Sequence, residues 1–267
     1  MNDKPVVRYD VENGIAVITI DNPPVNALGP GVTEGIVESL EKGEADPNVK
    51  AFVMIGAGRS FIAGADIRGF DKSRPPPKRR SYELLDEVNK PVVAAIHGYA
   101  LGGGLEHALG CHYRIAVADA KVGLPEVLIG ILPGGGGTQR LPRLIGPKAA
   151  LDMIVTGRHV PAPEAKELGI IDDIVDGKDL RGVAIAYAQR IADARPLPRV
   201  SARTDKIAEA KADPGMFDAM RKSIARKARG QKAPYHCIAA VEAATKLPFA
   251  EGIAEERRLF LELVSSE

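Results

Sequence analysis

Cysteine is scarce: Cys111 and Cys237 are the two in 267 residues. They cannot build a disulfide framework, and they fit free thiols in a reducing compartment. Net charge is also nearly absent, at +1, which removes any general attraction to nucleic acid or to an anionic membrane. No apolar run approaches the roughly 20 residues that span a bilayer. The opening MNDKPVVRYD lacks the hydrophobic centre of a secretion signal. No internal repeat occurs, and no low-complexity tract beyond PPP and GGGG. These absences predict a soluble, cytoplasmic protein. What is plentiful is apolar sequence, 45% of the chain, enough for one sizeable core.

The patterning predicts α/β structure for about 200 residues, then helices. VVRYDVENGIAVITID alternates around Asn13-Gly14, a pair suited to a tight hairpin turn, and Pro23 and Pro24 end the second strand. A helix is expected from about Val32 to Lys42, with Ile36, Val37 and Leu40 on one face. VKAFVMIG and VVAAIHG are continuous apolar runs, the pattern of strands buried on both faces. RIAVAD and KVGLPE predict two further strands, IIDDIV a late one, and DKSRPPPKRR a surface loop.

Glycine costs a helix roughly 1 kcal/mol against alanine. Yet GYALGGGLEHALG places Gly102, Gly103 and Gly104 just ahead of Glu106. A glycine-rich turn opening a helix lets a ligand reach the backbone and aims unpaired N–H groups at it. Nucleotide phosphate is disfavoured by motif: neither GxGxxG nor GxxxxGK[ST] is present in these turns. The other use is an oxyanion hole, with a second donor from the glycine turn in FIAGADI. Each turn alone also reads as a simple strand-to-helix connection. Glu106 alone reads as a helix-capping carboxylate. Glu126 stands among Leu124, Val127, Leu128 and Ile129, a setting that raises a carboxyl pKa. Two carboxylates near one pocket can divide acid and base work, although spacing alone does not bring them together. His107 and Cys111 stand four apart on one helix, next to His112, but a third ligand at sensible metal-binding spacing is missing, and they read as packing residues.

VAAIHGYALGGGLEHALGCHYRI, GRSFIAGADI and LPEVLIGILPGGGGTQRLPRLIG together resemble the enoyl-CoA hydratase/isomerase (crotonase) family. Similarity runs from the hairpin to about residue 195. It is strongest to the N-terminal hydratase/isomerase part of multifunctional fatty-acid β-oxidation proteins. APYHCIAAVEAA, LPFAEG and ERRLFLELV in the tail share it. The resemblance implies a crotonase-like spiral of ββα units over 1–195 and a helical region over 196–267. It puts oxyanion donors on the backbone of Ala65 and Gly103 and catalytic carboxylates on Glu106 and Glu126. Gly134 would help to hold a water. Val25, Ala27, Leu28, Ala63, Asp66 and Ile67 would line the path of coenzyme A, with Arg68 near its phosphates.

The implied reaction adds water to a trans-2-enoyl-CoA. Glu106 activates the water and Glu126 delivers a proton to C2, or the two share or exchange these roles, and no metal or other cofactor is required. Two alternatives stand: a Δ3-Δ2-enoyl-CoA isomerase on the same site, and, of a different class, a catalytically silent crotonase-fold binding protein. Implied partners are an acyl-CoA thioester and copies of the chain in a trimer or hexamer, or a tail that covers that interface itself. No nucleic acid or membrane partner is expected. The chain carries no dinucleotide fingerprint, so oxidation of the product is not expected of it. It is either naturally short or one piece of a longer protein.

Overall fold

The computed structural model describes residues 5–66 and 79–265, apart from the Glu209 side chain. It opens with the expected hairpin: β1 (Val7–Glu12) pairs antiparallel with β2 (Ile15–Ile20). Asn13 and Gly14 take φ of 51° and 79°, the left-handed values that a two-residue hairpin turn needs. Helix α1 (Val32–Ala45) continues beyond Lys42 and buries Ile36 and Leu40.

From there the chain runs strand, strand, helix in succession. β3 (Ala51–Gly56) and β4 (Ile62–Ala63) precede α2 (Ser81–Glu87). β5 (Val92–Ile96) and β6 (Tyr99–Leu101) precede α3 (Gly103–Gly110). β7 (Tyr113–Val117) and β8 (Lys121–Gly123) lead through a 3-10 turn, Pro125–Ile129, to α4 (Gly137–Ile145). Each unit gives its first strand to one sheet and its second to another: β3, β5 and β7 are parallel neighbours, as are β4, β6 and β8. This is the ββα spiral. The chain continues through α5 (Pro147–Thr156), β9 (His159–Pro161), α6 (Ala162–Leu168), β10 (Asp173–Val175) and α7 (Leu180–Arg190). It ends in α8 (Met216–Ile224), α9 (Ala233–Lys246) and α10 (Phe249–Ser265). The larger sheet has the order β1-β2-β3-β5-β7-β10, and the smaller β4-β6-β8-β9.

Every residue of β2, β3 and β5 is buried, which is why their sequences are unbroken apolar runs rather than alternating ones. Helix α7 covers β2, β3 and β5, while α1 covers β1 and β2. Strands β4, β6 and β9 were not expected. At two or three residues each, they are too short for an alternation to register. KVGLPE is strand only as far as Gly123, and Pro125 turns the remainder into the 3-10 segment. IIDDIV is strand only at Asp173–Val175, because Ile170 and Ile171 turn back to bond Ala165. The terminal helices do not extend away from the core: α9 packs on α4 and α5, and α10 packs on α4 and α9.

Candidate active site

The glycine turn after β6 is shaped by contacts that exclude side chains. Gly102 has φ of 51°, and a Cβ there would lie 2.9 Å from Glu126 Oε1. A Cβ on Gly104 would lie 2.0 Å from the carbonyl oxygen of Ile62 in β4. At Gly103 it would meet Leu28 Cδ1 at 2.7 Å and the Ala65 nitrogen at 3.9 Å. The helix can therefore start close against β4 only without side chains.

Ala65 follows β4 and forms a parallel bridge with Leu28. In it the Leu28 N–H donates to Gly64 O at 2.9 Å, and the Asp66 N–H donates to Leu28 O at 3.1 Å. Hydrogen-bonding groups alternate sides along an extended chain, so the Ala65 N–H points away from Leu28. Gly103 is the first residue of α3, where an N–H has no partner within the helix. Ala65 is exposed and Gly103 half-buried, so a ligand can reach both. The two turns read separately from the sequence are thus one place in the fold.

Glu106 does not cap its own helix. Its carboxylate is buried, and Oε1 accepts from the Gly135 N–H at 2.7 Å and the Gly137 N–H at 2.8 Å. The GGGG run forms this cradle. Side chains at Gly135 and Gly137 would fall 2.6 Å and 2.8 Å from the Glu106 carboxylate. One on Gly134 would meet Phe260 at 2.8 Å. Burial raises the Glu106 pKa, while the two N–H donors and Arg140 oppose that rise.

Glu126 reaches the same point from the 3-10 turn after β8. The sequence attributed its apolar setting to its neighbours, and that is corrected: Leu124 and Val127 are buried, but Leu128 and Ile129 are 68% and 59% exposed. The surroundings of Glu126 come from Gly102 and from Cys237 on α9 instead. Its Oε2 is closed off from solvent and has no partner among the described residues. Burial holds its pKa well above the ordinary value, and the charges of Glu106 and Glu256 add to that. The two carboxylates thus differ: one accepts two N–H bonds, the other accepts none at a buried oxygen.

Four site residues were not anticipated. Glu256 on α10 is 1% exposed and binds the same cradle from the opposite side. Arg140 of α4 is the cation of the cluster, bonding the Asp86 carboxylate, Tyr82 O at 3.0 Å and Gly135 O at 3.1 Å. Phe260 lies against Gly134. Burial and the charge of Glu126 push the Cys237 thiol up. The sequence held one signal for Glu256: it shares the helix stripe of Gly252, Leu259, Phe260 and Leu263, a carboxylate where spacing calls for an apolar residue.

Val25, Ala27, Leu28, Ala63 and Asp66 form one strip, tied by Ala63 N–H to Val25 O at 3.1 Å and by the Leu28 bridge. Ile67 and Arg68 lie outside the described residues, as do Lys72, Arg74 and Lys78. Arg79 pairs with Glu41 and Glu87, and Arg80 bonds the Tyr82 hydroxyl at 2.6 Å. Gly134 is half-buried, and its carbonyl accepts from Tyr82 at 3.4 Å. His107 Nδ1 lies 2.7 Å from Gly103 O, which can only accept, so that nitrogen carries the proton and Nε2 accepts from Ser81 Oγ at 2.6 Å. Burial drives its pKa down to about 4. It is a neutral brace between α2 and the glycine turn. His112 Nδ1 accepts from the Val92 N–H at 3.1 Å.

Residues 10–260 match the profile of the enoyl-CoA hydratase/isomerase family. The chain is 47% identical, over 98% of its length, to a peroxisomal bifunctional enzyme of Danio rerio. It is 37% identical, over 95% of its length, to a peroxisomal fatty acid beta-oxidation multifunctional protein of Oryza sativa. It spans 36% of the length of each of these relatives. Among solved structures, an enoyl-CoA hydratase from Mycobacterium tuberculosis superposes with a TM-score of 0.68 at 31% identity, covering 85% of this chain and 92% of that one. The cytoplasmic expectation is overturned: relatives that match most of the chain carry names placing them in peroxisomes or glyoxysomes. Charge and a missing secretion signal do not report an organelle address. Fold, glycine turns and sequence agree, and the chain belongs to the enoyl-CoA hydratase/isomerase family.

Proposed function

We propose that the chain is an enoyl-CoA hydratase that converts trans-2-enoyl-CoA to 3-hydroxyacyl-CoA, the hydration step of fatty-acid β-oxidation. The observation that carries this reading is the unlike pair of buried carboxylates beside the turn that bears the Ala65 and Gly103 N–H groups. Negative charge develops on the thioester oxygen when water adds at C3, and two preorganised donors stabilise it. Losing one such donor costs about 3–4 kcal/mol in comparable sites. Environments that push two carboxyl pKa values apart divide the acid and base roles. Glu126, whose burial favours the protonated form, delivers the proton to C2. Glu106 takes the proton of the water, which Gly134 helps to hold. Hydration is redox-neutral and the oxyanion donors are backbone groups, so the reaction as proposed calls on no metal or redox cofactor.

Val25, Ala27, Leu28, Ala63, Asp66, Ile67 and Arg68 are assigned to the coenzyme A path. Residues 1–195 form the catalytic core in this reading, and 196–267 close the site over Gly134 and Glu126. The docking of α9 and α10 on the chain's own α4 and α5 supports a self-covered site over one completed by neighbours in a trimer or hexamer. As in the relatives' names, the reaction belongs to peroxisomal β-oxidation, with further steps on other parts of such proteins.

Crotonyl-CoA and a 3-enoyl-CoA, offered separately to the enzyme, test the reading. Loss of the enoyl-thioester absorbance with formation of 3-hydroxybutyryl-CoA is the expected result. Inertness toward crotonyl-CoA and longer 2-enoyl-CoAs refutes it. Appearance of that absorbance from the 3-enoyl-CoA would then identify the isomerase.

A further inference from the structure

Two carboxylates share one short loop. Successive N–H groups from Gly135 to Thr138 point alternately to opposite sides. Those of Gly135 and Gly137 go to Glu106 Oε1 on α3. Those of Gly136 and Thr138 go to Glu256 on α10, to Oε1 at 2.7 Å and to Oε2 at 3.1 Å. The Thr138 hydroxyl adds a bond to Oε2 at 2.6 Å. The loop is thus strung between the carboxylate assigned as base and a carboxylate from the terminal helix. Gly136 takes φ of 94°, and a Cβ there would fall 2.0 Å from Arg140 Nη1, so the position admits only glycine, whose backbone is held by its bonds rather than by a side chain.

We propose that Glu256 is a positioning residue: its bonds to Gly136 and Thr138 hold the loop so that the Gly135 and Gly137 N–H groups stay aimed at Glu106. This rests on the hydratase reading above. Without the tether, Gly136 and Thr138 lose buried partners and the loop is free to shift. The donors on Glu106 then lose their line, and the base loses its orientation toward the water. Among the described residues the bonds of Glu256 go to Gly136 and Thr138 rather than to the strip around Val25 and Ala63, so its loss acts on turnover rather than on coenzyme A binding. The tether also survives protonation. Thr138 Oγ1 already accepts from Gln139 Nε2 at 2.9 Å, and its hydroxyl can rotate to accept from a protonated Glu256. Loop geometry is then independent of the charge on that carboxyl.

The test compares wild type, Glu256→Gln and Glu255→Gln in hydration of crotonyl-CoA, with folding followed by circular dichroism. Glutamine keeps the shape but must present an NH2 to one of the two backbone donors. Glu255 lies one residue earlier on α10, in a surface pair with Arg258. The expected result is a kcat lower by about tenfold or more for Glu256→Gln, as misorientation of a catalytic group predicts. Its KM should stay within about twofold, with Glu255→Gln indistinguishable from wild type. A folded Glu256→Gln with the kcat of wild type overturns the inference. Should Glu256→Gln fail to fold, Thr138→Val decides, since it deletes one bond of the tether and no bulk, while Gln139 Nε2, which loses Thr138 Oγ1, keeps its bond to Ala240 O at 2.9 Å. A kcat reduced at unchanged KM supports the tether, and an unchanged kcat overturns it. Wild type that leaves crotonyl-CoA untouched overturns the hydratase reading and this inference together. Wild type that hydrates it beside a fully active Glu256→Gln overturns this inference alone.

Discussion

Gly104→Ala sets two opposing effects against each other. Alanine in place of glycine in a helix gains up to about 1 kcal/mol of intrinsic propensity. At this site the new methyl would lie 2.0 Å from Ile62 O and 2.8 Å from Ile62 C. Those are backbone atoms of β4, so no rotamer change relieves the contact, and either α3 or β4 must move. Overpacking of this kind costs typically about 1–3 kcal/mol, and an immovable neighbour puts the site at the upper end. The net expectation is a loss of about 2 kcal/mol, or roughly 4–8 °C in Tm for a chain of this size. The same displacement moves Ala65, three residues beyond Ile62, away from Gly103. A shift near 1 Å between reacting groups costs about a hundredfold in rate. Gly215→Ala is the control: it has ordinary φ, and the nearest foreign atom to a Cβ is Asp213 Oδ1 at 3.9 Å. Its stability should stay within about 0.5 kcal/mol of wild type, as for an unstrained surface position. Thermal unfolding and crotonyl-CoA turnover of both variants provide the comparison. A Gly104→Ala enzyme with raised Tm and full turnover refutes the close-approach explanation of the glycine turn.

The pH dependence of turnover should be bell-shaped, with both limbs above the ordinary carboxylate range, since burial raises both pKa values. Activity rises as Glu106 ionises and falls as Glu126 loses its proton. A profile flat from pH 4 to 10 contradicts the assignment. Stability carries the same signature at Glu256, whose pKa burial and Glu106 raise from 4.5 to about 8. The folded state keeps the proton that the unfolded chain releases, so this contribution is complete below pH 4.5 and is lost as pH rises through 8. Urea melts of wild type and Glu256→Gln across that window should converge as pH rises, by at most about 1.4 kcal/mol per unit; a constant difference refutes it. Cys111 and Cys237 are buried with thiols pushed up, so neither should react with a disulfide reagent in the native state and both should react in denaturant. Fast labelling of the native enzyme contradicts their placement.

The long buried strands were legible because a strand covered on both faces writes its burial as an unbroken apolar run, as in AFVMIG and VVAAI. The hairpin was legible because Asn13-Gly14 is a local requirement. Strands β4, β6 and β9 were not, since two or three residues carry no period and exist only by pairing with distant partners. The site divides the same way. Glu106 stood out because it directly follows the Gly102–Gly104 turn, although the glycines that crowd its carboxylate, Gly135 and Gly137, are distant in sequence, and Glu126 stood out through the motif that holds it. The surroundings of Glu126 come from the Gly102 turn and from Cys237 on α9, which adjacency cannot reveal. Glu256 lies 120 residues from Gly136, the partner it binds, and only its place in an apolar helix stripe marked it.

Hydration of crotonyl-CoA by wild type, Glu106→Gln and Glu126→Gln, each shown to be folded, tests the central claim most directly. The paired-carboxylate account predicts a kcat lower by about a hundred- to ten-thousand-fold in both variants. Either variant turning over within a few-fold of wild type would contradict it.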